Sequence, residues 1–171
     1  MEEGLIIKAQ KGDKDSFSKA VLSLKDEAYR IAYCYLHNKE DSMDAVADAV
    51  EKALLNISKL KNDKYFKTWF IRIVINECKI QLRQKQKIIS MADDLYKYDD
   101  LSKTNREEKI DLERSLTILD PSDRILIYMK YYMGYTLEEV AETMNLPTGT
   151  VKTRIYGNLK LLRNKLEVRE G

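Results

Sequence analysis

Apolar positions recur at three- and four-residue steps along most of this 171-residue chain, the spacing of helices that each bury one face. Alternating apolar and polar runs of strand length do not occur, so the pattern predicts an all-α fold. A short helix is expected over about residues 3–10, stopping at Gly12, with Asp13 or Asp15 capping the next. Further helices are expected over 25–36, from just after Asn38 to about Leu60, and over 67–86, with a break at Asn62-Asp63.

Between residues 90 and 110 the periodicity fades. Asp93, Asp94, Asp99, Asp100, Ser102, Thr104 and Asn105 stand among sparse hydrophobics, the composition of a linker that is flexible or partly helical. Periodicity returns over 111–168. Asp120-Pro121 reads as an N-cap with proline at the first helical position, and Gly134 as the stop of that helix. Thr136 and Glu139 have capping-box spacing, and a turn through Leu146-Pro147 leads into a last helix over about 148–166. The expected organisation is two small helical domains, 1–89 and 111–171, joined by the linker 90–110.

Two short helices joined by a tight turn, the second bearing basic residues, make a helix-turn-helix of the DNA-reading kind. Ala141 supplies a small side chain where the helices cross, with Val140 and Met144 toward the core. In steps of about 100°, Val151, Ile155, Leu159, Leu162 and Leu166 share one face of the last helix. Gly149, Lys152, Thr153, Tyr156, Lys160 and Arg163 lie on the flank and opposite side. Lys152 suits a guanine edge or a phosphate, Thr153 a base edge or thymine methyl, and Lys160 and Arg163 the backbone. Gly149 admits a phosphate close to the helix start. The plainer alternative is a helical hairpin with a solvated basic face.

Two further helices carry charge stripes. On the helix from residue 41 to 57, Met43, Val46, Val50, Ala53, Leu54 and Ile57 are expected to form the core face. Asp41, Asp44, Asp48 and Glu51 project opposite, flanked by Ala45 and Ala47. Such a stripe is either a solvated face or a docking ridge for a basic partner. In the long helix, Ile71, Val74, Ile75, Cys78 and Leu82 face inward, while Arg72, Asn76, Lys79 and Arg83 form a second stripe suited to a nucleic-acid backbone or simply to solvent. Trp69 falls on a third side and is expected to serve the core. Tyr65 and Phe66, in or beside the preceding loop, are the candidates for touching unstacked bases.

Composition narrows the classes. Thirty basic residues are nearly balanced by 28 acidic ones, so the net charge of +2 is silent about nucleic acid and the arrangement carries that argument. The longest apolar run, near residues 70–75, is far too short for a membrane span, and the opening Met1-Glu2-Glu3-Gly4 lacks a basic signal-peptide start, which points to the cytoplasm. Cys34 and Cys78 lie in apolar helical patterns and are expected to be buried reduced thiols. With His37 at a helix end they cannot complete a four-ligand zinc site, and phosphate-loop, dinucleotide and nucleophile-elbow motifs are missing. No catalytic residue, metal or cofactor is expected.

The pieces occur in a familiar order. The segment 38–50 (NKEDSMDAVADAV) looks like the stretch by which sigma factors dock on RNA polymerase. Residues 66–76 (FKTWFIRIVIN) resemble the next block of that family, and residues 146–155 (LPTGTVKTRI) its recognition-helix motif. The opening Ala9-Gln10-Lys11-Gly12-Asp13 with Phe17 also fits. The chain thus resembles an extracytoplasmic-function sigma factor over about residues 5–166, the linker excepted. The resemblance implies that Asp41, Asp44, Ala47, Asp48 and Glu51 contact core RNA polymerase, at the basic clamp coiled coil of its largest subunit. It implies that the loop with Asn62, Asp63, Lys64, Tyr65 and Phe66 captures a flipped base of the −10 element, supported by Arg72, Asn76, Lys79 and Arg83. It assigns Gly149, Thr150, Lys152, Thr153, Tyr156, Lys160 and Arg163 to the −35 element.

It further implies promoter DNA as a partner, a monomeric factor without membrane insertion, and an anti-sigma inhibitor, often membrane-anchored. Ala47 stands where the family commonly has Gln, and Gly157 where Arg is frequent. A stand-alone helix-turn-helix regulator is the alternative expectation, and a polymerase-binding module without a DNA role the next.

Overall fold

A computed structural model describes residues 4–92 and 116–170. Among these residues there are eight α-helices and no strand. Helices α1 (Leu5–Gln10), α2 (Lys14–Leu22), α3 (Lys25–Leu36), α4 (Lys39–Asn56) and α5 (Phe66–Ala92) form the first group. Helices α6 (Pro121–Tyr131), α7 (Leu137–Met144) and α8 (Thr148–Glu170) form the second. The expected linker lies outside the described residues except for its first three positions, which continue α5 six residues past the expected end.

Local chemistry sets the boundaries. The Asp13 carboxylate accepts from the backbone N–H groups of Asp15 and Ser16, so Asp13 caps α2 and Asp15 lies inside its first turn. Those bonds, with the Ser16 hydroxyl first among them, hold the Asp13 carboxyl below the ordinary range. Asn38 caps α4 by accepting from Asp41 N–H at 3.0 Å. The chain leaves α3 at His37 and α7 at Asn145 in the left-handed conformation, with φ of 52° and 54°. Both halves of the Thr136–Glu139 capping box are made, at 3.1 and 2.7 Å. Asp120 holds the N-cap position without a side-chain cap bond, its role carried by Pro121.

Two expectations about faces are corrected. In α4 the buried stripe is Ser42, Ala45, Ala49 and Ala53, while Met43 and Leu54 are exposed. The helix is wedged between α3 and α5, where only small side chains let three backbones approach, so the larger Val46 and Val50 are displaced to its flanks. Ala45 is therefore core, and Ala47 alone of that pair lies on the surface. Phe66, expected beside unstacked bases, is 0% exposed and stacks on Phe70 with centroids 6.0 Å apart. As the first residue of α5 it sits one turn from Phe70 on the inward face. Trp69 is half-buried against the same cluster, in line with expectation.

The long-helix core face holds as expected, with Ile71, Val74, Ile75 and Cys78 buried and Leu82 partly so. So does that of α8, where Val151, Ile155 and Leu162 are buried and Leu159 partly so; the Leu166 side chain lies outside the described residues. Cys34 and Cys78 are buried thiols that form no disulfide with each other, and burial pushes Cys78 up to about 12. The two helical groups share one continuous apolar core, because α6 packs on α3 and α7 packs on α5. A smaller cluster of Leu116, Leu119, Ile127 and Leu162 closes the far side of α6.

Candidate nucleic-acid and partner interfaces

The acidic ridge of α4 lies outward. Asp44, Ala47, Asp48 and Glu51 are exposed, and among the described residues the three acids make no ion pair. Asp41 differs: its carboxylate is paired with Lys85 of α5. The other cation beside the ridge, Lys52, is held by both oxygens of Glu77 at 2.8 and 2.7 Å. Sequence reasoning passed over Glu77, which is only 5% exposed. With both neighbouring lysines engaged, the ridge presents net negative charge. On its other side an apolar groove of 750 Å³ runs between α2 and α4, lined in part by Leu22, Met43, Val46, Ala47 and Val50. Met43 is exposed because it borders that groove.

The segment before α5 is a single 3-10 turn, Asp63–Tyr65, capped by Asn62, whose side chain accepts from Lys64 N–H at 3.1 Å. Tyr65 is 50% exposed and Asn62 and Lys64 are exposed, so this turn offers one aromatic ring to a ligand, with Asp63 half-buried. Gln10 of α1 fixes the base of the loop, donating to the carbonyls of Leu60 at 2.6 Å and Ile57 at 3.3 Å. Nothing in the spacing of Gln10 announces this, since its partners are some fifty residues away in sequence.

The basic stripe of α5 divides. Asn76 and Arg83 are exposed. Lys79 is partly buried, and its pKa is lowered by burial first and by the charges of Arg83 and Arg154 next. Arg72 faces the second helical group, where its guanidinium donates to the backbone carbonyls of Glu142 and Thr143 (the latter at 3.4 Å). These are last-turn carbonyls of α7, the negative end of that helix.

The α7–α8 pair has the geometry of a helix-turn-helix. Val140, Ala141 and Met144 are buried against Val151 and Ile155. Gly149, Thr150, Lys152, Thr153, Tyr156, Lys160 and Arg163 are all exposed along α8. The Thr153 hydroxyl donates to Gly149 O at 2.9 Å, a bond it can exchange for a ligand. Arg154 on the flank is held by Asp123 of α6 at 2.5 Å, which fixes the rotation of α8 on its support.

Arg124, which the sequence did not mark, is the most deeply buried cation among the described residues, at 6% exposure. It donates to the carbonyls of Leu116, Leu119 and Cys34, each at 3.1 Å, and the last belongs to the other helical group. Burial lowers its pKa, yet it remains charged because each guanidinium nitrogen has a partner. Nearby, His37 is depressed to about 4, by burial first and by the Arg124 charge second.

Among the described residues no cluster of metal ligands occurs and no helix is long and apolar enough to cross a membrane. The family profile described as Sigma-70 region 2 matches residues 20–88, and that described as Sigma-70, region 4 matches residues 109–157. RNA polymerase sigma factor SigV of Bacillus subtilis is 32% identical over 142 residues, covering 83% of this chain and 86% of its own. The ECF RNA polymerase sigma factor SigW of the same organism is 30% identical over 176 residues, covering 94% of each chain.

Among solved structures, the sigma factor RpoE in complex with the anti-sigma factor NepR from Bartonella quintana superposes with a TM-score of 0.73 at 21% identity, over 89% of this chain and 97% of that one. CnrH in complex with the cytosolic domain of CnrY gives 0.71 at 22%, over 96% of each, and both share this fold. Matched at both ends by the family's two regions and along most of its length by its members, the chain belongs to the sigma-70 family as an extracytoplasmic-function alternative sigma factor, which directs transcription initiation.

Proposed function

We propose that residues 1–89 dock on core RNA polymerase and hold the −10 element, that 90–110 serve as the linker, and that 111–171 read the −35 element. The observation that carries the docking assignment is the outward acidic ridge of Asp44, Asp48 and Glu51, whose cationic neighbours Lys52 and Lys85 are already paired. A basic helical partner, here the clamp coiled coil of the polymerase, is attracted to such a ridge and gains apolar contact at Met43 and Ala47. Asp41 contributes through the helix and its ion pair with Lys85, not as a free charge.

On the DNA side, Tyr65 is the one aromatic of the −10 turn open to an unstacked base, with Asn62, Asp63 and Lys64 shaping the turn. Phe66 supports it from the core. Asn76, Lys79 and Arg83 line the strand path, joined by Arg72 once it leaves α7. In the −35 module, Lys152, Thr153 and Tyr156 meet base edges, and Gly149, Thr150, Lys160 and Arg163 meet the backbone. The factor works in the cytoplasm as a monomer and contributes no catalysis of its own. An inhibitor of the anti-sigma class, as in the RpoE–NepR complex, is a further partner, and its membrane anchoring belongs to the same proposal.

The test is a pull-down with core polymerase. Asp44→Arg with Asp48→Arg is expected to abolish binding and leave helix content by circular dichroism unchanged. Undiminished retention of that double variant rejects the docking ridge.

A further inference from the structure

We infer, on the assignment of residues 62–66 to the −10 element, that Gln10 is a positioning residue for the −10 turn. Its side-chain amide sets where Tyr65 stands, and so governs which base the turn selects. The chain enters this turn through a short 3-10 helix, Ile57–Lys59, and Leu60. Ser58, Lys59, Lys61, Asn62, Lys64 and Tyr65 are all exposed. The bonds within the segment are local: Leu60 N–H to Ile57 O at 3.1 Å, Lys64 N–H to the Asn62 side chain at 3.1 Å, and Tyr65 N–H to Asn62 O at 3.2 Å. They shape the segment without fastening it to the helices behind it.

Two anchors do the fastening. After the turn, Phe66 is buried and stacks on Phe70. Before it, the Gln10 amide donates to Leu60 O at 2.6 Å and to Ile57 O at 3.3 Å. Among the described residues no other hydrogen bond reaches residues 57–65 from a distant part of the chain. Ile57 is buried and Leu60 partly so, but apolar contact is non-directional and leaves the rotation of the segment open. Gln10 itself stands on a firm base, because Ile6 and Ala9 of α1 are buried and α1 packs along α2. Both amide hydrogens are engaged on protein carbonyls, so Gln10 acts without touching DNA.

Capture and selection respond differently to a loosened turn. An aromatic ring stacks on any base, so Tyr65 tolerates some displacement. Choosing among bases takes hydrogen bonds to the base edge, which weaken steeply with distance and angle. Without the Gln10 amide the turn keeps the Phe66 anchor alone and pivots about it. Stacking survives this and discrimination falls.

The test uses holoenzyme assembled from the full-length factor and core polymerase, with a cognate promoter randomised over its −10 region. Sequencing the bound DNA gives the preference for the best over the worst base at each position, and a pool randomised over −35 is the internal control. Gln10→Met keeps the length of the side chain and removes the donor. It is expected to lower −10 discrimination by about two- to tenfold, the factor that one net hydrogen bond represents. Discrimination at −35 and retention on polymerase stay at wild-type values. Gln10→Glu is nearly isosteric but turns a carboxylate toward two carbonyls, so it loses at least as much, whereas a role in packing alone leaves it close to wild type. Unchanged −10 discrimination in Gln10→Met, or wild-type selection by Gln10→Glu, overturns the brace. So does an equal loss at −10 and −35, the mark of general destabilisation. Tyr65→Ala tests the underlying assignment separately. Wild-type binding and selection by Tyr65→Ala overturn the turn as the −10 reader, while a loss there beside an unaffected Gln10→Met overturns the brace alone.

Discussion

Replacing Arg124 by methionine keeps most of the buried volume and removes the guanidinium. Three carbonyls, of Leu116, Leu119 and Cys34, then lose a charged donor at 3.1 Å. A hydrogen bond to a charged group contributes about 1.5–3 kcal/mol, and an orphaned buried acceptor costs about 1–3 kcal/mol. Carbonyls near the junction recover part of this from water, so the expected loss of stability is roughly 3–5 kcal/mol. For a chain of this size each kcal/mol shifts the melting temperature by about 2–4 °C, which predicts a fall of roughly 10 °C. Two of the three bonds tie Arg124 to the turn before α6 and one crosses to α3. Hydrogen exchange should therefore rise most around residues 116–121 and next at the end of α3. A loss below about 1 kcal/mol, or exchange unaltered before α6, would refute the view that Arg124 organises this junction.

Lys152→Ala is expected to weaken run-off transcription from cognate promoters; equal loss on every −35 sequence, with a salt slope smaller by about 1, identifies a phosphate contact in place of base reading. Thr136→Ala removes one half of the capping box and should lower stability by about 1 kcal/mol in urea denaturation, with no change if the cap is not made in solution. His37 should titrate near pH 4 by NMR, below its ordinary 6.5. Because its folded pKa is depressed, its protonation favours the open or unfolded chain, so its contribution is complete above pH 6.5 and declines as pH falls toward 4. Arg124→Met should move that titration upward, and a midpoint at or above 6.5 in the wild type contradicts the account.

The sequence alone determined what depends on neighbours a few residues away. Asp13, Asn38 and the Thr136–Glu139 pair marked helix starts through bonds spanning two or three positions, and periodicity placed Val151, Ile155 and Leu162 inward. The order of acidic ridge, basic helix and helix-turn-helix was legible for the same reason. Tertiary structure decided whatever depended on which element lay opposite. The close approach of α3 and α5 turned Ala45 and Ala49 of α4 inward beside the expected Ala53 and left Met43 and Leu54 outside, although a single-helix wheel favoured the larger residues. The aromatic stack with Phe70 drew Phe66 into the core, though its place beside a loop had suggested the surface. Arg124, Glu77, Gln10 and Glu27 found their partners across 25 to 108 positions of chain, distances over which no local pattern constrains a side chain. The closing of the two helical groups has the same character: hydrophobic periodicity says that a face must be buried, and only packing says against what.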